Sequence, residues 1–382
     1  MQQARRHAGH RRRPGHEHRA GRHVHHPGWR HHDPGRHQLD GHPGQHEPDH
    51  AVARGLGCEP VKPRDLRGRV VVLTGASSGI GRATALAFAD AGAHLVLAAR
   101  NQAALEDVAE QCRARNAQAL VVPTDVTQAE QVRALAAAAV ERFSGIDVWV
   151  SNVGVGAVGS FTETPIEAHR RVIDANLLGH FHGAHAVLRH FVARQRGVLI
   201  NMISVGAWAA VPYAAAYSAS KFGLRGFSEA LRGEMSGWPD IHVCDVYPAF
   251  MDTPGMAHAA NYTGRRLKPA PPLYDPRLAA EAIVSLAREP RPSVTVGTAA
   301  TALRMGHAVS PALSGWVGAK VVERYLKQAE PAPRSDGNLY APSLGNAIDG
   351  GYRQGAESPR WWLWAAVGGA VWLGLQAARR PR

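Results

Sequence analysis

From Val70 onward, short unbroken apolar runs alternate with longer stretches in which apolar residues recur every three or four positions. Val70-Val71-Val72-Leu73 is the first run, and four apolar residues in succession mark a strand buried on both faces. The turn Thr74-Gly75-Ala76-Ser77-Ser78-Gly79-Ile80-Gly81 follows at once. Residues 82–91 then read as a helix with Ala, Leu and Phe inward, stopped by Gly92, and residues 94–99 as a second apolar strand. Further strands are expected at 118–122, 147–151, 198–204, 242–247 and 293–297, and helices at 127–143, 165–194 and 213–235. Such alternation predicts an α/β fold: a doubly wound, Rossmann-type parallel sheet in a single catalytic domain over residues 65–300, with ligands at the carboxyl ends of the strands.

The residues with chemistry fall at those ends. Gly75, Gly79 and Gly81 shape a strand-to-helix turn that brings backbone N–H groups and the positive helix end toward a pyrophosphate, where a Cβ would stand in the way. Asp125-Val126 follows the third strand, Asn152-Val153-Gly154 the fourth, Ser204 closes the next, and Pro248 to Thr253 follows the one after. Tyr217 and Lys221, at i and i+4, stand one above the other on a helix.

With these motifs in this order, residues 65–300 resemble the short-chain dehydrogenase/reductase family. That family carries a T-G-x-x-x-G-x-G turn, an N-A-G motif, a helical Asn, and a Ser thirteen residues before a Tyr-x-x-x-Lys pair. The counterparts here are Gly75/Gly79/Gly81, Asn152 to Gly154, Asn176, Ser204 and Tyr217/Lys221, with Val153 in place of the usual Ala and Ala249 in place of the Gly of a Pro-Gly motif. The resemblance implies a catalytic tetrad of Asn176, Ser204, Tyr217 and Lys221. It also implies a nicotinamide cofactor held by Gly75, Ser77, Ser78, Gly79, Ile80, Gly81, Asp125, Val126, Asn152, Gly154, Tyr217, Lys221, Pro248 and Thr253. By resemblance Asn176 holds a water linking Lys221 to solvent, Asp125 meets the adenine ring and Thr253 the carboxamide or phosphate. Two alternatives stand beside these: a buried Asn176 satisfying backbone groups, and Asp125 capping the turn at Thr127.

The residue types suit carbonyl reduction in their own right. An alkoxide formed by hydride addition needs a proton, and a phenol gives it once its pKa of about 10 is drawn toward working pH. Lys221 supplies the charge for that, and Ser204 can orient the substrate oxygen. At the end of the second strand Ala98-Ala99-Arg100 offers a guanidinium and no carboxylate, which favours a 2′-phosphate, hence NADPH over NADH. Loops carrying Val155, Trp208, Val211, Tyr213, Phe250, Met251, Met256 and Tyr262 point to an apolar wall and a lipophilic carbonyl or alcohol substrate. A cofactor-binding regulator without turnover would be expected to lack Ser204, Tyr217 or Lys221, and all three are present.

Charge adds the ends of the chain to the picture. Of the 382 residues 20% are charged, with a formal net charge of +13. Residues 1–57 contribute +5 of that with 13 of the 22 histidines, set among Gly and Pro, and are expected to be disordered. The rest is only mildly basic, so nucleic acid is not an expected partner. Cys58, Cys112 and Cys244 are too few and scattered for a disulfide framework or a zinc site, which implies a reducing compartment and no metal. Residues 299–326 read as a helical extension interrupted by Pro311, and 330–355 as a Pro/Gly-rich linker. Residues 361–378 form an uncharged stretch flanked by arginines; as a helix they would span about 27 Å, enough for a C-terminal membrane anchor on a cytoplasmic catalytic domain. The two long helices 165–194 and 213–235 resemble those that pair subunits in the family, so a homo-oligomer is expected.

Overall fold

Alternating faces of unbroken apolar strands set the architecture. In the computed structural model, which describes residues 63–343 and 345–353, the chain runs in order through β1 (Val70–Thr74), α1 (Gly79–Asp90), β2 (His94–Ala99), α2 (Gln102–Arg113), β3 (Ala119–Pro123) and α3 (Ala129–Phe143). It continues through β4 (Val148–Ser151), β5 (Ala157–Val158), α4 (Ile166–Ile173), α5 (Gly179–Arg194), β6 (Gly197–Met202), α6 (Ala215–Glu234) and β7 (Ile241–Pro248). It ends with α7 (Gly255–His258), β8 (Ala260–Asn261), α8 (Pro276–Arg288), β9 (Ser293–Val296), α9 (Thr298–Val309) and α10 (Pro311–Gln328). Seven strands form one sheet in the order β3-β2-β1-β4-β6-β7-β9, every pair parallel, while β5 and β8 pair separately.

Successive side chains of a strand point to opposite faces, so the continuous apolar runs feed two cores. On one face Val71, Leu73, Leu95 and Leu97 pack with Phe88 of α1, Leu105 of α2 and Ile283 of α8. On the other, Val70, Val72, Val96 and Ala98 pack with Leu135 of α3 and Phe191 of α5. Strand order reverses between β1 and β4, and a cleft opens at the carboxyl ends there, as the doubly wound arrangement requires.

The structure revises three expected elements. The expected helix 165–194 is split into α4 and α5 by a π-helical turn, Asp174–Leu178, which inserts a residue into the helical repeat and contains Asn176. The extension 299–326 is two helices, because Pro311 cannot continue α9; Ser310 instead caps α10 by accepting from the Leu313 N–H. Residues 330–353 are not a free linker: they lie back over the domain, held from Arg266 to Arg353 by hydrogen bonds. Helices α2 and α8 were not among the expected elements. Among the described residues no helix is long and apolar enough to cross a membrane; the tail 1–60 and the apolar run 361–378 lie outside them.

Candidate active site

The turn between β1 and α1 is a close contact between backbones. Gly75 and Gly79 have φ of 68° and 54°, in the left-handed region, and a Cβ on Gly75 would come 3.1 Å from the Asn152 amide nitrogen. A Cβ on Gly81 would overlap the Gly75 carbonyl oxygen. Asn152 fixes this approach from β4: its side chain donates to the Gly75 carbonyl at 3.1 Å and its N–H donates to Thr74 Oγ1 at 3.2 Å. The first turn of α1 holds no acidic residue, and the Ser78 hydroxyl makes no capping bond, so both are available to an anion. These features fit a dinucleotide pyrophosphate. Gly81→Ala is accordingly expected to lose at least about 1–3 kcal/mol of stability, read as a lower urea midpoint, since backbone rather than a flexible side chain must give way.

Ser204, Tyr217 and Lys221 meet at the closed end of the cleft. Ser204 follows β6; its hydroxyl accepts from the Gly206 N–H at 3.0 Å and lies beside the Tyr217 ring, a Cβ on Gly206 standing 3.3 Å from both. Lys221 is buried, lies 5.8 Å from the centre of the Tyr217 ring, and donates to the Met202 carbonyl at 3.1 Å. Burial pulls the Lys221 pKa down to about 7. Burial raises the Tyr217 pKa, the neighbouring Ser204 side chain opposing it, so the lowering expected from Lys221 is not seen and the phenol keeps its proton at neutral pH.

Asn176 does not touch that group. Fully buried in the π turn, it accepts from the Val155 N–H at 2.8 Å and donates to the Val155 carbonyl at 2.9 Å and to Ser220 Oγ at 3.3 Å. Its contacts are those of a residue that positions the loop after β4 against α6. Gly154, in that loop, packs by Lys221: a Cβ there would stand 3.8 Å from Nζ.

The other end of the cleft lies at β2 and β3. Asp125 caps the turn, its carboxylate accepting from the Thr127 N–H and hydroxyl, and pairs with Arg171 at 2.7 Å. Burial pushes its pKa up, but the hydrogen bonds from Thr127 and Arg171 outweigh that and hold it below the usual range. Arg100 lies beside them, but its guanidinium already donates to the carbonyls of Asn338, Leu339 and Ala341 at 2.5, 3.2 and 3.1 Å. A guanidinium has five N–H donors, so two remain.

One cavity of ≈ 420 Å³ joins the two ends. Its wall includes every expected site residue except Gly81 and Asn176, which lie behind it: Gly75, Ser77, Ser78, Gly79, Ile80, Arg100, Asp125, Val126, Asn152, Gly154, Ser204, Tyr217, Lys221, Pro248 and Thr253. Of the expected apolar wall, Val155, Val211, Phe250, Met251 and Met256 line it, whereas Trp208, Tyr213 and Tyr262 do not. Trp208 is held between the guanidinium groups of Arg225 and Arg304, 3.7 and 4.1 Å from its ring, and the Tyr262 hydroxyl is spent on Asp336. Among the lining residues that escaped sequence reasoning are Arg171, His258, Asn338, Leu339, Pro342 and Ser343. Nothing in their local sequence marks them, since each reaches the cleft by tertiary packing.

Residues 69–263 match the protein family described as short chain dehydrogenase. Over 311 residues the chain is 32% identical to the uncharacterized oxidoreductase YxnA of Bacillus subtilis (strain 168), covering 78% of this chain and 87% of that protein. It is 35% identical over 188 residues to dehydrogenase/reductase SDR family member 7 of Mus musculus, covering 48% and 56% of the two. Among solved structures, an alcohol dehydrogenase from the archaeon Thermococcus sibiricus, complexed with 5-hydroxy-NADP, superposes with a TM-score of 0.54 at 28% identity, over 60% of this chain and 96% of its own. A metagenomic short-chain oxidoreductase in complex with NADP gives a TM-score of 0.53 at 27% identity, over 61% and 98%.

Proposed function

The chain belongs to the short-chain dehydrogenase/reductase family and is an oxidoreductase, and from that premise we propose that it uses NADP(H) to interconvert a carbonyl and an alcohol on a lipophilic substrate. The observation that carries this reading is Ser204 and Tyr217 together with buried Lys221 on the wall of one cavity that continues to Arg100. When bound, the nicotinamide supplies or accepts the hydride. Every other requirement falls to residues of the chain. Ser204 and Tyr217, on the wall of the same cavity, hold the substrate oxygen; Tyr217 gives that oxygen its proton in reduction and takes it back in oxidation. Lys221 places positive charge near the phenolate that Tyr217 becomes, stabilising it in a site with little water. Gly75, Ser78 and Ile80 cradle the diphosphate, the Gly79 N–H being taken by the Ala347 carbonyl, and Asn152 holds that turn to β4.

NADP rather than NAD is supported by Arg100, with no carboxylate at the end of β2 to compete for a ribose hydroxyl or repel a phosphate. Arg100→Asp is expected to lower the ratio of kcat/KM for NADPH over NADH by roughly ten- to a hundred-fold, the equivalent of one charge-assisted contact. Effects on residues 338–341 are common to both cofactors and cancel in that ratio, so an unchanged ratio contradicts the assignment. A lipophilic substrate is supported by Val155, Val211, Phe250, Met251 and Met256, apolar residues lining the end of the cavity that holds Tyr217.

The setting follows from the chain's ends and helices. The uncharged stretch 361–378 supports a membrane anchor that leaves the catalytic domain in the cytoplasm, where NADPH is supplied. A carbonate wash tests it: the full chain stays with the membrane and a chain ending at residue 360 does not. A homo-oligomer is supported by α5 and α6, on whose faces exposed Phe181 and half-buried Phe227 stack with ring centres 3.9 Å apart.

A further inference from the structure

The cofactor groove carries a cover built from this chain's own carboxyl-terminal segment. Residues 338–343 and 345–353 run from β2 to the loop after β7. Backbone carbonyls make most of the attachments: Asn338, Leu339 and Ala341 accept from Arg100, Leu339 also from Arg171 Nε at 2.9 Å, Ser343 from the Asn101 side chain at 3.0 Å, and Ala347 from the Gly79 N–H at 2.9 Å. The far end is latched by charge, with Arg353 donating to Asp252, Asp275 and Asp349 at 3.2, 3.0 and 2.9 Å. Asn346 makes a side latch, donating to Asp107 at 2.8 Å.

Two features define what the segment does. It is a wall rather than a plug: Asn338, Leu339, Pro342 and Ser343 line the same cavity as Ser77, Asp125 and Tyr217, so the groove continues beneath it. It is also weakly rooted. Among the described residues of 331–353 only Leu339 is buried, at 1% exposure, the remainder being tied by polar contacts at the surface. Segments with few buried apolar contacts open at low free-energy cost.

We propose that residues 338–353 are a gate over the adenosine half of the cofactor groove, closing on bound NADP(H) and lifting to let it exchange. Arg100, which lines the cavity, is then shared, three of its five N–H groups holding the gate and two remaining for the cofactor. This inference rests on the cofactor reading above.

Hydrogen exchange of the amides of 338–350 in the full chain, with and without saturating NADPH, is the test. A gate gains protection when NADPH binds. Loss of protection would mean that the segment competes with the cofactor for Arg100 and Gly79, and an unchanged pattern would mean that it is a fixed wall; either overturns the gate. The double variant Asn346→Ala/Arg353→Ala, altered outside the cavity, should raise both the association and the dissociation rate constant of NADPH by roughly five-fold or more while moving Kd much less. A rise in association alone again identifies a competitor and overturns the gate. Thermal unfolding of the variant shows whether the domain itself is intact. Failure of NADPH to bind the unaltered chain at all would strike the cofactor reading, not the gate.

Discussion

Tyr217→Phe lowers kcat by at least about a hundred-fold and leaves the Kd for NADPH within a few-fold of the unaltered protein, the range general acid catalysis supplies. The substitution removes one hydroxyl from a ring that stays where it is, on α6 with its neighbours unchanged. The loss is therefore confined to proton transfer at the substrate oxygen. Two independent readings, turnover followed by NADPH absorbance and binding followed by cofactor fluorescence, separate this from misfolding. Retention of a tenth or more of the turnover would remove Tyr217 from the mechanism. A companion expectation follows for Ser204→Ala, whose loss should fall on kcat as well, because the hydroxyl acts on the same substrate oxygen.

Lys221→Met has an effect of the same size on activity and an opposite one on stability. An ammonium fully buried in the cleft is costly, which is why its pKa lies at about 7 rather than 10.5. The sign follows from linkage. Between pH 7 and 10.5 the unfolded chain keeps the Lys221 proton and the folded chain does not, so this group makes stability rise with pH across that window. Replacing it with an apolar chain of similar length removes the penalty, so the variant should be more stable than the parent near neutral pH, with the gap narrowing as pH approaches 10.5. The Met202 carbonyl loses its donor, a cost of about 1–3 kcal/mol that is smaller than the charge burial it replaces. Urea unfolding of both proteins across that pH range is the check. A variant less stable at every pH would mean that Lys221 is not held at a cost. A site that sacrifices stability for a placed charge is the signature of function rather than packing.

Much of this was legible in the sequence, and what was not has physical reasons. Strands such as Val70–Thr74 and His94–Ala99 announce themselves because a parallel sheet buries both faces, leaving apolar runs with no polar interruption. The glycine turn and the Tyr217–Lys221 spacing were readable because backbone closeness and a helical i, i+4 pair constrain local sequence. The break at Asp174–Leu178 left no trace, since a π turn shifts the helical repeat by one residue in a stretch whose periodicity is already loose. Trp208 and Tyr262 were assigned to the substrate wall because aromatics suit pockets, but a ring held between two guanidinium groups or capped by Asp336 is equally satisfied elsewhere. Residues 330–353 were the deepest omission. A segment that binds through its backbone carbonyls can have almost any sequence, and its Pro and Gly content reads as a linker whether it hangs free or lies in a groove.

The Tyr217 phenol is proposed to protonate a lipophilic carbonyl reduced by NADPH. The most direct test is NADPH consumption by the full chain over a panel of apolar ketones and aldehydes, with the alcohol quantified in the same samples and Tyr217→Phe run in parallel. NADPH loss matched one-for-one by alcohol is expected for at least one apolar carbonyl, and at least about a hundred-fold less of both in Tyr217→Phe. NADPH loss without alcohol, or alcohol formed equally by the variant, would contradict it.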